Sequence, residues 1–270
     1  MSDINRAIHE IHQIDRIASK DQWVNQMHPL VKLLLTLAYV FTVVSFPKYD
    51  VLGLLAMAVY IIISFSIAEL SFRECVWRLR IVLPLVCLVG IANPFFDRMP
   101  VDLGFIRINA GVLSMVTLMM KGIFAVLASY LLIATTTIEK ICYALRLMHV
   151  PSIIVTQLLL TYRYITLLLD EVNRITQAYA LRAPKQKGIH FKVWGSLTGQ
   201  LLLRSIDRAN DVYEGMTLRG YRGEFGYVAQ TASWRAADMV YFAVWLALFI
   251  LMRSVPVIVV LGKWIGGSWL

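Results

Sequence analysis

The chain has 270 residues, 59% of them apolar and 16% charged, with a mean hydropathy of +0.66. A soluble domain carries about 25% charged residues, and here the apolar residues run in blocks about as long as a bilayer core is thick, which excludes an ordinary soluble fold. The net charge of +9 leaves nucleic acid, anionic lipid and an acidic protein as partner classes, and the placement of the charge decides among them.

Residues 1–29 are expected to form a cytoplasmic amino-terminal segment. They hold Arg6, Glu10, Asp15, Arg16, Lys20 and Asp21 without the apolar stretch of a secretory signal, so insertion is expected to rely on the first internal apolar helix. Ile4, Ile8, Ile11 and Ile14 repeat at helical spacing and predict an amphipathic surface helix. His9 and His12, with Glu10 and Asp15 nearby, could hold a metal, but the surface helix explains the same pattern. His28, before Pro29, reads as an interfacial residue.

Residues 30–135 hold four predicted spans, at 30–46, 51–68, 81–96 and 111–135. Pro47-Lys48-Tyr49-Asp50 makes a tight turn between the first two. The third is short and contains Pro84 and Asn93-Pro94, so a kink or tilt is expected. Lys121 interrupts the fourth. A cation at mid-span costs about 2.5–3.5 kcal/mol, so Lys121 should face protein, or that span should start later. Residues 239–270 supply a fifth span, at 239–261, and the carboxyl terminus. The expected fold is an all-α polytopic membrane protein with about five transmembrane helices and long amphipathic cytoplasmic helices.

Residues 136–238, between the fourth and fifth spans, hold half of all Lys and Arg, among them Arg163, Arg174, Arg182, Lys185, Lys187, Arg204, Arg208 and Arg219. One long amphipathic helix is predicted from after Pro151 to about Leu181, along or just under the membrane; a sixth span is the alternative. The short loops favour a cytoplasmic amino terminus. Arg6, Arg16, Lys20, Arg73, Arg78 and Arg80 fall on that side, against Lys48, Arg98, Arg107 and Lys263. The basic block is then cytoplasmic and juxtamembrane. Nucleic acid drops out, leaving the lipid bilayer and a partner with an acidic groove.

Pro184 should stop the first basic helix near Ala183. A second is predicted over about 196–218, with Gly220 in the left-handed position just past its end. Leu202, Ile206, Ala209, Tyr213 and Met216 form its apolar stripe. Arg204 with Asp207, Arg208 with Asp211, and Asp170 with Arg174 on the first helix, are spaced for ion pairs. Both helices end in Leu-Arg followed by a small residue, Leu181-Arg182-Ala183 and Leu218-Arg219-Gly220. A cation in a last turn complements the helix dipole by about 0.3–1 kcal/mol. Repetition at two rod ends points further, to guanidinium tips that enter a partner groove and meet carboxylates in bidentate geometry.

No phosphate-binding GxxxxGK[ST], no HExxH and no GxSxG is present. The chain is not expected to hydrolyse ATP, to be an enzyme or to need a cofactor or metal. Cys75, Cys87 and Cys142 form no CxxC and read as small apolar packers. His149 and His190 have no obvious partner. The spans as drawn lack Asp and Glu, which argues for a scaffold over an independent ion-coupled carrier.

Ile14-Asp15-Arg16, His28-Pro29-Leu30-Val31-Lys32-Leu33-Leu34, Ala144-Leu145-Arg146, Val150-Pro151, Tyr162-Arg163-Tyr164, Asp170-Glu171 and the stretch from Leu203-Arg204-Ser205 to Arg219-Gly220-Tyr221 follow in an order that resembles one family. It is the transmembrane T component of energy-coupling factor (ECF) transporters, of the cobalt-type CbiQ subgroup. Arg182 and Arg219 fall where that family has two Ala-Arg-Gly-type motifs. Leu181 and Leu218 replace the alanines, Ala183 replaces the first glycine, and Gly220 keeps the second. The resemblance implies a non-catalytic subunit of the cell membrane joining two ATP-binding ABC-type ATPases to a substrate-binding (S) subunit of CbiM type. Each of the two arginines would dock in one ATPase. It also implies cobalt as cargo, with nickel or a vitamin as alternatives; an independent membrane carrier or a membrane-bound enzyme are the readings from other classes.

Overall fold

The computed structural model describes residues 13, 16–19, 23–70, 84, 88, 90, 100–102, 107–184, 189–223 and 234–254. The predicted third span lies outside them except for Pro84, Leu88 and Gly90, as do His9 and His12. The elements in chain order are α1 (Trp23–Gln26), α2 (Pro29–Ser45), α3 (Val51–Ile67), β1 (Pro100–Asp102), β2 (Arg107–Asn109), α4 (Ala110–Thr135), α5 (Ile138–Leu147), α6 (Ser152–Arg182), α7 (Phe191–Leu218) and α8 (Ala236–Ser254). The protein is an all-α polytopic membrane protein, with one short antiparallel ladder among the described residues, pairing Pro100 with Asn109 and Asp102 with Arg107. The chain divides into two compact units, residues 18–136 with 232–270, and residues 1–17 with 137–231.

In the first unit α4 packs on α2 and α3, and α8 packs on both of them too. The apolar runs of these helices fill a core centred on aromatic rings. Tyr39 is fully buried, with ring centroids 4.8 Å from Tyr60 and 5.4 Å from Phe249, and Trp245 lies 4.7 Å from Tyr60. Buried phenols need a polar partner, and Tyr39 finds one by donating to the Met57 carbonyl at 3.1 Å. The predicted turn before α3 is built on Asp50, whose carboxylate accepts from the Gly53 N–H at 2.8 Å and caps the helix. A Cβ at Gly53 would come within 2.6 Å of that carboxylate, which fixes glycine there.

Lys121 faces protein, as one of its two sequence readings required. Its ammonium sits on the Val44 and Phe46 carbonyls, at 3.0 and 2.6 Å. Arg253 donates to the Ser45 carbonyl at 3.2 Å and lies over the Phe46 ring. The last carbonyls of a helix lack internal partners, so two cations from α4 and α8 close the end of α2 and offset their own desolvation.

In the second unit α5 packs on α6, and α6 packs on α7. Burial here is sparse: Val155 is the one buried residue of α6, and α7 has none. Helices α4, α6 and α8 are long and apolar enough to cross a membrane, and α2 and α3 are shorter apolar helices. Length and composition therefore leave open both readings of α6, span or surface rod.

Candidate functional site

The two Leu-Arg ends are built differently. Helix α6 starts after Pro151, whose ring presets the backbone angle, and runs 31 residues to Arg182. It stops at Ala183, whose N–H donates to the Tyr179 carbonyl at 3.0 Å, because Pro184 cannot continue it. Helix α7 begins at Phe191, five residues before the predicted start. His190 caps it by accepting from the Lys192 N–H at 3.4 Å. His190, which in the sequence had no obvious partner, is the cap that sustains this first turn. At its other end Gly220 takes the expected left-handed conformation, φ +84°. The Tyr221 N–H reaches the Met216 carbonyl at 3.0 Å and the Gly220 N–H reaches Thr217 at 2.9 Å, a complete Schellman motif.

Both tips face outward. Leu181 is 83% exposed and Leu218 is 90% exposed, with Arg182 and Arg219 exposed beside them. Each thus presents an apolar side chain next to a guanidinium on a helix end, a combination suited to a groove with an apolar wall and a carboxylate. Between α6 and α7 lies a cleft of about 840 Å³, with Leu160, Tyr164 and Leu168 on one wall and Val212, Tyr213 and Met216 on the other. Four members of the predicted α7 stripe, Leu202, Ile206, Ala209 and Tyr213, are exposed, and Met216 is half-buried. Arg204 does not take its expected partner Asp207. It forms an ion pair with Glu171 of α6, so the side chain bridges the two helices. A carboxylate on a facing helix was invisible to i,i+3 spacing.

A second polar constellation escaped the sequence reading. Helix α8 starts three residues before the predicted span and includes Asp238, which is buried. Its carboxylate accepts from the His28 backbone N–H at 3.2 Å. His28, expected at the interface, is fully buried and stacks on Trp234, with ring centroids 4.2 Å apart. Burial pushes its imidazole below the ordinary value, and the Asp238 charge partly offsets that shift. Lys32 is buried too and donates to the Thr135 carbonyl at 2.8 Å. These groups tie the beginnings of α2 and α8 and the end of α4 into one polar knot. Only the Lys32 and His28 positions, within the stretch that carried the family resemblance, gave any signal of it. Among the described residues no three His, Cys, Asp or Glu side chains group as a metal site.

A family model described as "Cobalt transport protein", CbiQ, matches residues 20–232. The chain is 25% identical to the energy-coupling factor transporter transmembrane protein EcfT of Listeria innocua, over 83% of this chain and 91% of that one. It is 28% identical to the cobalt transport protein CbiQ of Rhodobacter capsulatus, over 79% of this chain and 86% of that one. With an EcfT of Lactococcus lactis the identity is 25%, over 81% and 88%.

Proposed function

The chain belongs to the CbiQ family of cobalt transport proteins, and on that premise we propose that it is the coupling subunit of an ATP-driven importer. It joins two cytoplasmic ATPases to a substrate-binding membrane subunit of CbiM type. Arg182 with Leu181 and Ala183 docks in one ATPase, and Arg219 with Leu218 and Gly220 docks in the other. The amino terminus and the region 136–238 face the cytoplasm. ATP hydrolysis belongs to the partner subunits. The observation that carries this reading is the pair of exposed Leu-Arg ends on two long helices with almost nothing buried. Cobalt as cargo rests on the names of the family and of the Rhodobacter relative.

The test is co-expression with the two ATPases, solubilisation, and measurement of the ATPase recovered per chain. Arg182→Glu and Arg219→Glu should each lower recovery, and the double variant should abolish it at normal membrane levels of the chain. Unchanged recovery in all three would reduce the arginines to helix-end cations and remove the docking reading.

A further inference from the structure

Helices α6 and α7 carry the two tips, yet little apolar packing fixes one against the other. Val155 is the one buried residue of the two, it lies near the start of α6, and the cleft opens the space between them. Among the described residues the one ion pair between these helices is Arg204 with Glu171. It sits at mid-length on α7 and well inside α6. At ~1.5 Å per residue, Glu171 lies about 17 Å along its helix from Arg182, and Arg204 about 22 Å from Arg219. Each is therefore the near end of a stiff arm whose far end is a tip. A small change in how the helices meet at this point becomes a large change in tip separation.

We infer that Glu171 and Arg204 are positioning residues that hold the two tips at one spacing, so that both partner sites can be engaged together. The tips' role rests on the proposed docking function; the spacing itself does not. Glu171 is the more enclosed partner, with 23% of its side chain exposed against 59% for Arg204. An exposed pair of this kind contributes little to overall stability. It can still select between arrangements of two rods that have no packed core to select for them. The intrahelical alternative, Arg204 with Asp207, would leave the rods uncoupled at mid-length, and the cross-helix pair is the one formed.

The experiment is a distance measurement between nitroxides at Leu181→Cys and Leu218→Cys, in the full chain with Cys75, Cys87 and Cys142 changed to Ser. It is made with and without the ATPases. The background chain should give one narrow separation. Glu171→Arg or Arg204→Glu should raise the population of other separations by about three- to tenfold, because each reversal removes an attraction and adds a repulsion. Glu171→Gln, which adds no repulsion, should act in the same direction and less. The exchange Glu171→Arg with Arg204→Glu should restore the narrow separation. Unaltered separations in the single reversals, or an exchange that restores nothing, would overturn the inference. Failure of the unlabelled chain, with Leu181 and Leu218 intact, to bind ATPases would refute the docking function instead and leave the separation measurements standing.

Discussion

The bundle of α2, α3, α4 and α8 and the unit of α5, α6 and α7 spend their side chains in opposite ways. The bundle encloses an aromatic core and the polar knot of His28, Lys32 and Asp238. Helices α6 and α7 enclose almost nothing and expose Leu181, Phe191, Leu202, Leu203 and Leu218. Apolar surface on a bundle helix, such as Phe41, is what lipid requires. Apolar surface at the tip of a basic helix, beside an arginine, is what the proposed docking with a partner requires. The bundle buries its apolar side chains in its own core, and the rods leave theirs exposed.

The largest effect that would sharpen this contrast is in the core. Phe249→Ala should cost about 3–5 kcal/mol, measured by denaturant unfolding in detergent. Leu202→Ala on α7 should stay within about 0.5 kcal/mol in the isolated chain. Equal costs would erase the distinction between the two units. Next comes the polar knot. Asp238→Ala strips the His28 N–H of its acceptor in a buried place and should cost about 1–3 kcal/mol; a neutral result would mean the knot is not holding α2 to α8.

Smaller and opposite in sign are two helix ends in the second unit. Gly220→Ala forces a side chain into the left-handed region and should destabilise the end of α7 by about 1–2 kcal/mol, seen as faster amide exchange at Gly220 and Tyr221. His149 already holds that strained position after α5, at φ +62°, so His149→Gly should slow exchange at its own amide and at Val150. The pH effect comes last. The buried His28 imidazole binds its proton less readily than in the unfolded chain, so its contribution to stability is present above about pH 6.5 and is lost as pH falls through the lower folded value. His28→Gln should flatten the stability profile in that window, and an unchanged slope would assign the pH dependence elsewhere.

Much of this was readable from residue patterns. Pro184 marked the end of α6, Gly220 marked the end of α7, and the apolar blocks located α2, α3 and α4 to within one residue and the start of α8 to within three, because breakers and long runs act locally; the expected end of the fifth span, at 261, lies outside the described residues. The start of α7 lies five residues before the expected one, since His190 read as a residue without a partner and not as the cap it is. The ladder of 100–102 with 107–109 gave no periodic signal in three-residue strands. Glu171 with Arg204, and His28 with Asp238, join residues distant in the chain, and no spacing rule on one sequence reaches that far. The tips were legible as a repeated Leu-Arg pattern; their exposure, which gives the pattern meaning, was not.

The most direct test of the central claim places a photo-crosslinking amino acid at Leu181, at Leu218 and at Phe41, a bundle position that is 82% exposed. Illumination would follow assembly with the two ATPases in membranes. The account predicts adducts of ATPase mass from Leu181 and Leu218 and none from Phe41. ATPase adducts absent from both tips, or equally abundant from Phe41, would contradict it.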